Sequence, residues 1–180
     1  MVAIHFHPES DLTPDLAIAA ADYQQIWDRE GPRIVDRLET LTGLRFMESF
    51  IHAIVFERPS CPHPLCLRAS YPKDVKLGTL IHELCHRLIS GNRGRLGLPP
   101  PRDMTEETHR LIDLFLFDTW SDLYGEEFAR NQVAIESERQ AFYATTWTWA
   151  LMMDRRERAE ALRRQLGFDG ANVRAPNEPA

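Results

Sequence analysis

The residues with the clearest capacity for chemistry form one short run, H-E-L-C-H at positions 82–86, in which His82 and His86 stand four residues apart. The run lies inside an apolar stretch over 77–89 that predicts a helix. Because residues four apart lie one above the other on a helix, both imidazoles project from the same face. Two imidazoles on a rigid helix make half of a zinc site.

Glu83 follows the first of these histidines directly. Its carboxylate therefore projects about a quarter turn away from the two imidazoles. From there it can reach a water molecule held by the metal without displacing it, which is what a general base requires. Glu83 is the candidate catalytic residue.

A catalytic zinc needs a third protein ligand and one open position. The next predicted helix offers His109, with Glu106, Glu107 and Asp113 as competitors. We favour His109 because imidazole suits zinc, and Asp113, one turn later, can accept its other N–H or brace one of the first two histidines. A capping-box spacing to Asp103 would hold Glu106 at its own backbone. Glu106, Glu107 and Asp113 remain open as alternative ligands.

The elements that must position these residues are strands near the N-terminus and helices beyond. The pattern predicts a short strand over 2–7, helices over 13–30 and 33–42 separated by a break at Gly31-Pro32, strands over 46–56 and 65–71, the motif helix over 73–90, a loop over 91–102 that could act as a lid, the ligand-bearing helix over 104–124, and one or two helices within 126–166. This is a helix-dominated α+β class. We expect one domain over 1–167 and a flexible C-terminal tail over 168–180.

Composition excludes several classes of function. The 180 residues carry 21 Lys+Arg against 27 Asp+Glu, a net charge of −6 that gives no basic footprint for nucleic acid. No apolar run approaches the length of a membrane span, and the N-terminus lacks the pattern of a secretory signal. Three cysteines are too few for a disulfide scaffold. We expect a soluble, cytoplasmic protein that binds neither nucleic acid nor membrane, with its oligomeric state left open.

The order of a strand, a turn, a second strand, an H-E-x-x-H helix and a ligand-bearing helix resembles the zincin metallopeptidases. The resemblance covers roughly residues 44–125 and is nearest to the gluzincin-like branch in its small single-domain forms. In gluzincins the third ligand is a glutamate with an aspartate four residues later, and here His109 and Asp113 have that spacing. The metzincin continuation is absent, because Ile89 and Asn92 stand where its glycine and third histidine would be.

The resemblance implies a zincin-like fold, with a small N-terminal sheet packed on the motif helix, and one zinc ion per chain held by His82, His86 and His109. It further implies a metallopeptidase that hydrolyses peptide bonds with a metal-activated water, Glu83 acting as general base. The substrate would be a peptide or protein.

Two further features of such an enzyme have candidates in this sequence. The strand over 65–70 would be the sheet edge along which an extended peptide lies. A donor to the developing oxyanion is also needed, and Tyr143 and Tyr124 are the candidates that the sequence offers.

A zinc hydrolase with a different substrate is a second hypothesis. An alternative from another class is a catalytically inactive zincin-like fold that serves as a peptide-binding, protein-binding or regulatory module, with metal as a structural staple. The intact Glu83 favours catalysis, because a structural site needs no base beside it.

The other histidines and cysteines carry weaker signals. Cys61, His63 and Cys66 have a metal-like spacing, but a proline-rich turn with buried thiols explains them more simply. His5 and His7 alternate on one strand face and form a weak metal pair. His52 is expected to be hydrogen-bonded within the core.

Overall fold

The computed structural model describes residues 2–10, 13–97 and 106–168. Within these ranges a small sheet is followed and flanked by helices, which confirms the predicted helix-dominated α+β class. The elements are β1 (Ala3–Pro8), α1 (Pro14–Thr42), β2 (Phe50–Phe56), β3 (Leu65–Arg68), α2 (Lys73–Leu96), α3 (Glu106–Tyr124), α4 (Glu126–Ser137), α5 (Ala141–Leu151) and α6 (Arg155–Gln165).

The three strands are all parallel and lie in the order β1-β2-β3. Side chains alternate between the two faces, as the period of a strand requires. One face is apolar and buried, with Ile4, Ile51 and Leu67 among its members. The other face carries His5 and His52, which are exposed. Helices therefore pack on one side of the sheet only, at least within these ranges.

The predicted break at Gly31-Pro32 is wrong, because α1 runs without interruption through both residues. A proline inside a helix removes one backbone hydrogen bond and crowds the preceding turn, at a cost of about 3 kcal/mol. Ile34 and Leu38, which follow the proline, are fully buried. Burying each of these side chains stabilises the fold by about 1.5–3 kcal/mol, so packing outweighs the local penalty.

The predicted start of the motif helix agrees with that of α2, but the predicted end does not. The helix was expected to close at Gly91-Asn92, yet it continues to Leu96 and ends at Gly97, whose φ is 64°. The Asn92 amide is buried and donates to the carbonyls of Leu88 and Arg45, both at 2.8 Å. This side chain anchors the extra turns, so residues 91–96 are helix rather than loop.

The remaining boundaries moved by a few residues. β2 begins at Phe50 rather than at 46, and β3 ends at Arg68 rather than at 71. The C-terminal part contains three helices, α4 to α6, where one or two were expected. The rest of the proposed lid, the capping box of Asp103, and residues 169–180 of the expected tail lie outside the described residues. Phe168, the first residue of that tail, donates its N–H to the Arg163 carbonyl at 2.9 Å.

The core lies between the sheet, α1, α2 and α3. Trp120 on α3 and Trp147 on α5 are buried, with ring centroids 5.7 Å apart. The middle of α2 is buried on all sides, so the H-E-L-C-H run sits in the interior of the protein. Among the described residues, no helix has the length and apolar character that crossing a membrane would need.

Candidate metal centre

His82, His86 and His109 meet in one buried cluster. Each ring offers a nitrogen, and these three atoms lie within 4.8 Å of one another. The Nε2 atoms of His82 and His86 are 3.0 Å apart, as expected for neighbours one turn apart on α2. The His109 ring reaches them from α3, with its centroid 5.4 Å from His82 and 4.8 Å from His86. The cluster could bind a metal ion.

The protonation of the cluster suits a metal ligand set. Burial, followed by the neighbouring His82 and His109, lowers the pKa of His86 well below its ordinary value. His86 is therefore neutral at physiological pH and keeps a lone pair for coordination. Two nitrogens at ~2.0–2.1 Å from one tetrahedral zinc ion lie roughly 3.3–3.4 Å apart, so the rings of His82 and His86, whose Nε2 atoms are 3.0 Å apart, need to separate by only a few tenths of an ångström.

Glu136 on α4 orients His82. Its Oε1 accepts a hydrogen bond from His82 Nδ1 at 2.7 Å, and its Oε2 accepts one from Trp147 Nε1 at 3.1 Å. Because Nδ1 is occupied in this way, Nε2 is the nitrogen that His82 presents to the cluster. Sequence reasoning missed Glu136, since it lies 54 residues from His82 and nothing in the local pattern of α4 distinguishes it from a surface acid.

The same carboxylate sets the charge of His82. Burial disfavours the imidazolium, but the charge and hydrogen bond of Glu136, with smaller contributions from Glu83 and Asp113, together outweigh burial and raise the pKa of His82 to about 9. Burial likewise opposes the charge of Glu136, and His82 more than compensates, so the pKa of Glu136 is lowered. In the metal-free protein the two groups form a buried ion pair at neutral pH.

Glu83 lies where the motif predicts, buried beside the histidine that precedes it. Its side chain is 4% exposed, and its Oε2 accepts no hydrogen bond from any described residue. Burial raises the pKa of Glu83 to about 7. An interior carboxylate with an unsatisfied oxygen is costly for folding, which makes it a candidate for chemistry rather than for structure.

The alternative ligand candidates on α3 differ in their burial. Glu106 and Glu107 are exposed, and Glu106 forms an ion pair with Arg110 at 2.9 Å. Asp113 is fully buried, and burial raises its pKa to about 8. Neither oxygen of Asp113 accepts a hydrogen bond from a described residue, although the Thr146 hydroxyl lies beside it. The bracing of a histidine that we expected from Asp113 comes from Glu136 instead.

Aromatic residues at the start of α5 cover the cluster. The Tyr143 ring lies 4.6 Å from the His109 ring and 6.0 Å from the His82 ring, measured between centroids. Phe142 packs on His109 at 5.1 Å. Of the two tyrosines considered as oxyanion donors, Tyr143 therefore lies at the cluster. Tyr124 lies elsewhere, with its hydroxyl 3.4 Å from the carboxylate of Glu30.

The outward edge of β3 is already paired within the chain. Cys66 exchanges two backbone hydrogen bonds with Cys61, at 2.8 and 3.0 Å. The Arg68 N–H donates to Ser60 Oγ at 3.1 Å, and the Arg68 carbonyl accepts from the Tyr23 hydroxyl at 2.9 Å. The backbone N–H and C=O groups of Cys66 and Arg68, which an added strand would need, therefore already have hydrogen-bond partners within the chain. The expectation that an extended peptide lies along this edge is wrong for this conformation.

Comparisons with protein-family models, with curated proteins and with solved structures found no match for this chain. The likeness to zincins consequently rests on the motif residues and on the cluster that they form.

A close approach of α4 to α2 at Gly78 allows the hydrogen bond between His82 and Glu136 to form. Gly78 lies one turn before His82, and Gln132 one turn before Glu136. A Cβ atom on Gly78 would lie 2.5 Å from the Cδ of Gln132 and closer still to its Oε1. The glycine therefore permits the approach that brings Glu136 to the histidine.

We expect Gly78→Ala to push α4 away from α2. The free energy of unfolding should fall by about 1–3 kcal/mol because the buried Gln132 has little room to move. Zinc affinity should fall about tenfold as the His82–Glu136 bond weakens. The matched control is Gly94→Ala, where a Cβ meets nothing within 4 Å and the helix should gain roughly 0.5–1 kcal/mol. Denaturant unfolding and zinc titration of both variants test this, and equal behaviour would contradict it.

Glu136→Gln tests the role of that carboxylate. With a pKa of about 9, metal-free His82 carries a proton at pH 7 that a metal must displace. Zinc uptake should therefore release at least one proton, and affinity should rise roughly tenfold per pH unit from pH 7 to 8. In the variant, only the weaker influence of Glu83 and Asp113 still opposes burial, so the pKa of His82 should fall, about one proton fewer should be released, and affinity should fall 10–100-fold. Calorimetry in two buffers of different ionisation enthalpy counts the protons. Unchanged proton release would overturn this assignment.

Proposed function

We propose that this protein is a zinc-dependent metallopeptidase in which Glu83 acts as general base. The observation that supports this most directly is the unsatisfied, buried Oε2 of Glu83, adjacent in the chain to a histidine of the cluster. Such an oxygen destabilises the fold unless another group occupies its lone pairs. A site that only holds a metal needs its ligands and has no use for this carboxylate.

The donor set favours zinc over other cations. The cluster offers three imidazole ligands and no thiolate or carboxylate ligand. Such a donor set suits a borderline ion such as zinc and does not suit magnesium or calcium. Three protein ligands leave one coordination position for a reactant, the pattern of catalytic zinc sites. When bound, zinc supplies activation of a water molecule and polarisation of the scissile carbonyl.

The protein's own residues supply the proton transfers. Glu83, whose pKa in the metal-free protein is about 7, can take up and return a proton near neutral pH. It accepts the proton that leaves the attacking water and delivers it to the departing amine. Burial raises the pKa of the Tyr143 hydroxyl, so that group stays protonated and can donate a hydrogen bond to a developing oxyanion.

Access to the cluster requires movement of α5. His82, His86 and His109 are between 0% and 4% exposed, and Phe142 and Tyr143 pack directly against His109. Among the described residues, the start of α5 lies against the cluster, and we infer that it moves aside when a peptide binds. We infer that the conformation described is a closed state of the enzyme.

The complete burial of the cluster also favours a second candidate. A metal held behind Phe142 and Tyr143 could serve as a structural staple in a binding or regulatory module, because structural zinc sites are closed to substrate. The two candidates differ in what Glu83 does and in whether opening α5 releases activity.

The deciding experiment compares zinc content and peptide hydrolysis in wild type and in Phe142→Ala. Both proteins should hold one zinc per chain at the buried cluster, hydrolyse a mixture of quenched fluorescent peptides, and lose hydrolysis when a chelator removes zinc. Phe142→Ala should hydrolyse the peptides faster than wild type, because removing the Phe142 ring weakens the packing of α5 on His109. Phe128→Ala on α4, a partly buried phenylalanine without a contact to His109, is the control for non-specific loosening. Zinc binding with no hydrolysis in either protein would support the staple instead.

A further inference from the structure

A second group of histidines, separate from the buried cluster, lies on the exposed face of the sheet. His5 and His7 alternate along β1, so both project from the same face. His52 on β2 stands directly opposite His5 in the parallel register. It was expected in the core, but the structure exposes it, because β2 presents Ile51 and Ala53 to the interior and His52 to the outside.

The His7 ring contacts both of the other rings. His7 Nε2 and His52 Nδ1 are 3.0 Å apart, and the centroids of His5 and His7 are 4.3 Å apart. Two facing imidazole nitrogens repel when both present lone pairs, so this pair is stable only when a proton or a cation lies between them. In the metal-free protein the N–H of one neutral ring can fill that position, and a cation that binds both nitrogens replaces that hydrogen.

The spacing also matches a shared metal. Two nitrogens bound at ~2.0–2.1 Å with an angle of about 90–110° lie roughly 2.9–3.4 Å apart. The edge of the Phe50 ring packs on His52, with centroids 4.7 Å apart, and limits the orientations of that imidazole. The rings are thus held together by the strand register and by packing, rather than by a flexible loop.

We propose that His7 and His52 form an exchangeable surface site for a late first-row divalent cation, of the class Zn²⁺, Ni²⁺ or Cu²⁺. His7 binds through Nε2 and His52 through Nδ1, and the His5 ring, which packs on His7, positions that imidazole. Imidazole-only donors select these ions and exclude Mg²⁺ and Ca²⁺. The site is independent of the buried cluster and of the proposed peptidase activity.

Zinc and nickel titrations of the full chain test the proposal. Wild type should bind one more zinc equivalent than His52→Ala and one more than His7→Ala, with an affinity of the surface site tighter than about 100 μM. His5→Ala should weaken this extra site about tenfold or more without affecting the other equivalent. The matched control is His63→Ala, since His63 is exposed and belongs to neither cluster. Its zinc stoichiometry should equal that of wild type.

A difference of one equivalent is expected whether or not the buried cluster binds zinc, so failure of the peptidase proposal leaves this test unaffected. Imidazole nitrogen spectra should show zinc-dependent shifts at Nε2 of His7 and Nδ1 of His52. Equal stoichiometry in wild type and His52→Ala would overturn the proposal, as would binding seen only at millimolar zinc. In that event the pair is a hydrogen bond and nothing more.

Discussion

Glu83→Gln should abolish peptide hydrolysis and leave one zinc ion bound at the buried cluster. Removal of a general base lowers the rate by about 10²–10⁴-fold, because the proton of the attacking water has no acceptor. Glutamine has the same shape as glutamate, and no ligand of the cluster changes. Activity is measured with quenched peptides, and zinc by elemental analysis of the same samples.

The same substitution should stabilise the metal-free protein at neutral and higher pH. The folded pKa of Glu83, about 7, lies above its ordinary value of 4.5, so the folded state binds the proton more tightly than the unfolded chain does. Wild type therefore loses stability as pH rises from about 4.5 to 7, on the order of 3 kcal/mol in all, because a charge must be buried. Glutamine avoids this loss.

Loss of activity together with a gain in stability is a signature that damage to the fold does not produce. The control is Glu107→Gln on the exposed side of α3, which should change neither quantity. If Glu83→Gln retains the wild-type rate, the general-base assignment is wrong. If it loses zinc, Glu83 is a ligand, and the three-histidine site must be revised.

In a chain that carries His52→Ala, so that the proposed surface site does not contribute, zinc should raise the thermal stability strongly, and adding His86→Ala should remove that effect. A ligand present at a thousand times its dissociation constant stabilises the folded state by about 4 kcal/mol. For a domain of this size that corresponds to a rise in Tm of about 8–16 °C. Each variant is compared with itself, with and without zinc, so the cost of the cavity that alanine leaves cancels.

His109→Ala identifies the third ligand in the same assay. We expect the zinc-dependent rise in Tm to disappear in it as it does in His86→Ala, and to persist in His63→Ala. A rise that survives in His109→Ala would move the third ligand to Asp113, since Asp118, the other buried acid on α3, is paired with Arg158. With the surface site removed by His52→Ala, a rise that survives in His86→Ala would show that zinc acts at another site, and the assignment of the buried centre would be wrong.

Local periodicity was enough to place two of the three histidines. His82 and His86 lie on one face of α2 because a helix repeats every 3.6 residues, and any helix through positions 82–86 brings them together. The same reasoning named Glu83 and limited the third ligand to a few residues of α3. These inferences concern residues that are close together in the chain, and sequence periodicity predicts the relative positions of such residues reliably.

The sequence could not choose between His109 and the acids around it. Whether His109 or Glu106 faces α2 depends on how α3 rotates as it packs, and that rotation is set by the whole buried surface of α3. The continuity of α1 through Pro32 has the same origin. The free energy gained by burying Ile34 and Leu38 outweighs the cost of a proline inside the helix, and only the packed core shows that these two residues are buried.

Contacts between distant segments were decided by tertiary structure alone. Glu136 reaches His82 because Gly78 lets α4 approach α2, and neither helix carries a local signal of that contact. His52 faces outward because of the register of β2 in the sheet, where a shift of one residue would have buried it. Sequence periodicity determines which residues share a face of an element, while the packing of elements determines which faces meet, because burial free energy is summed over the whole core.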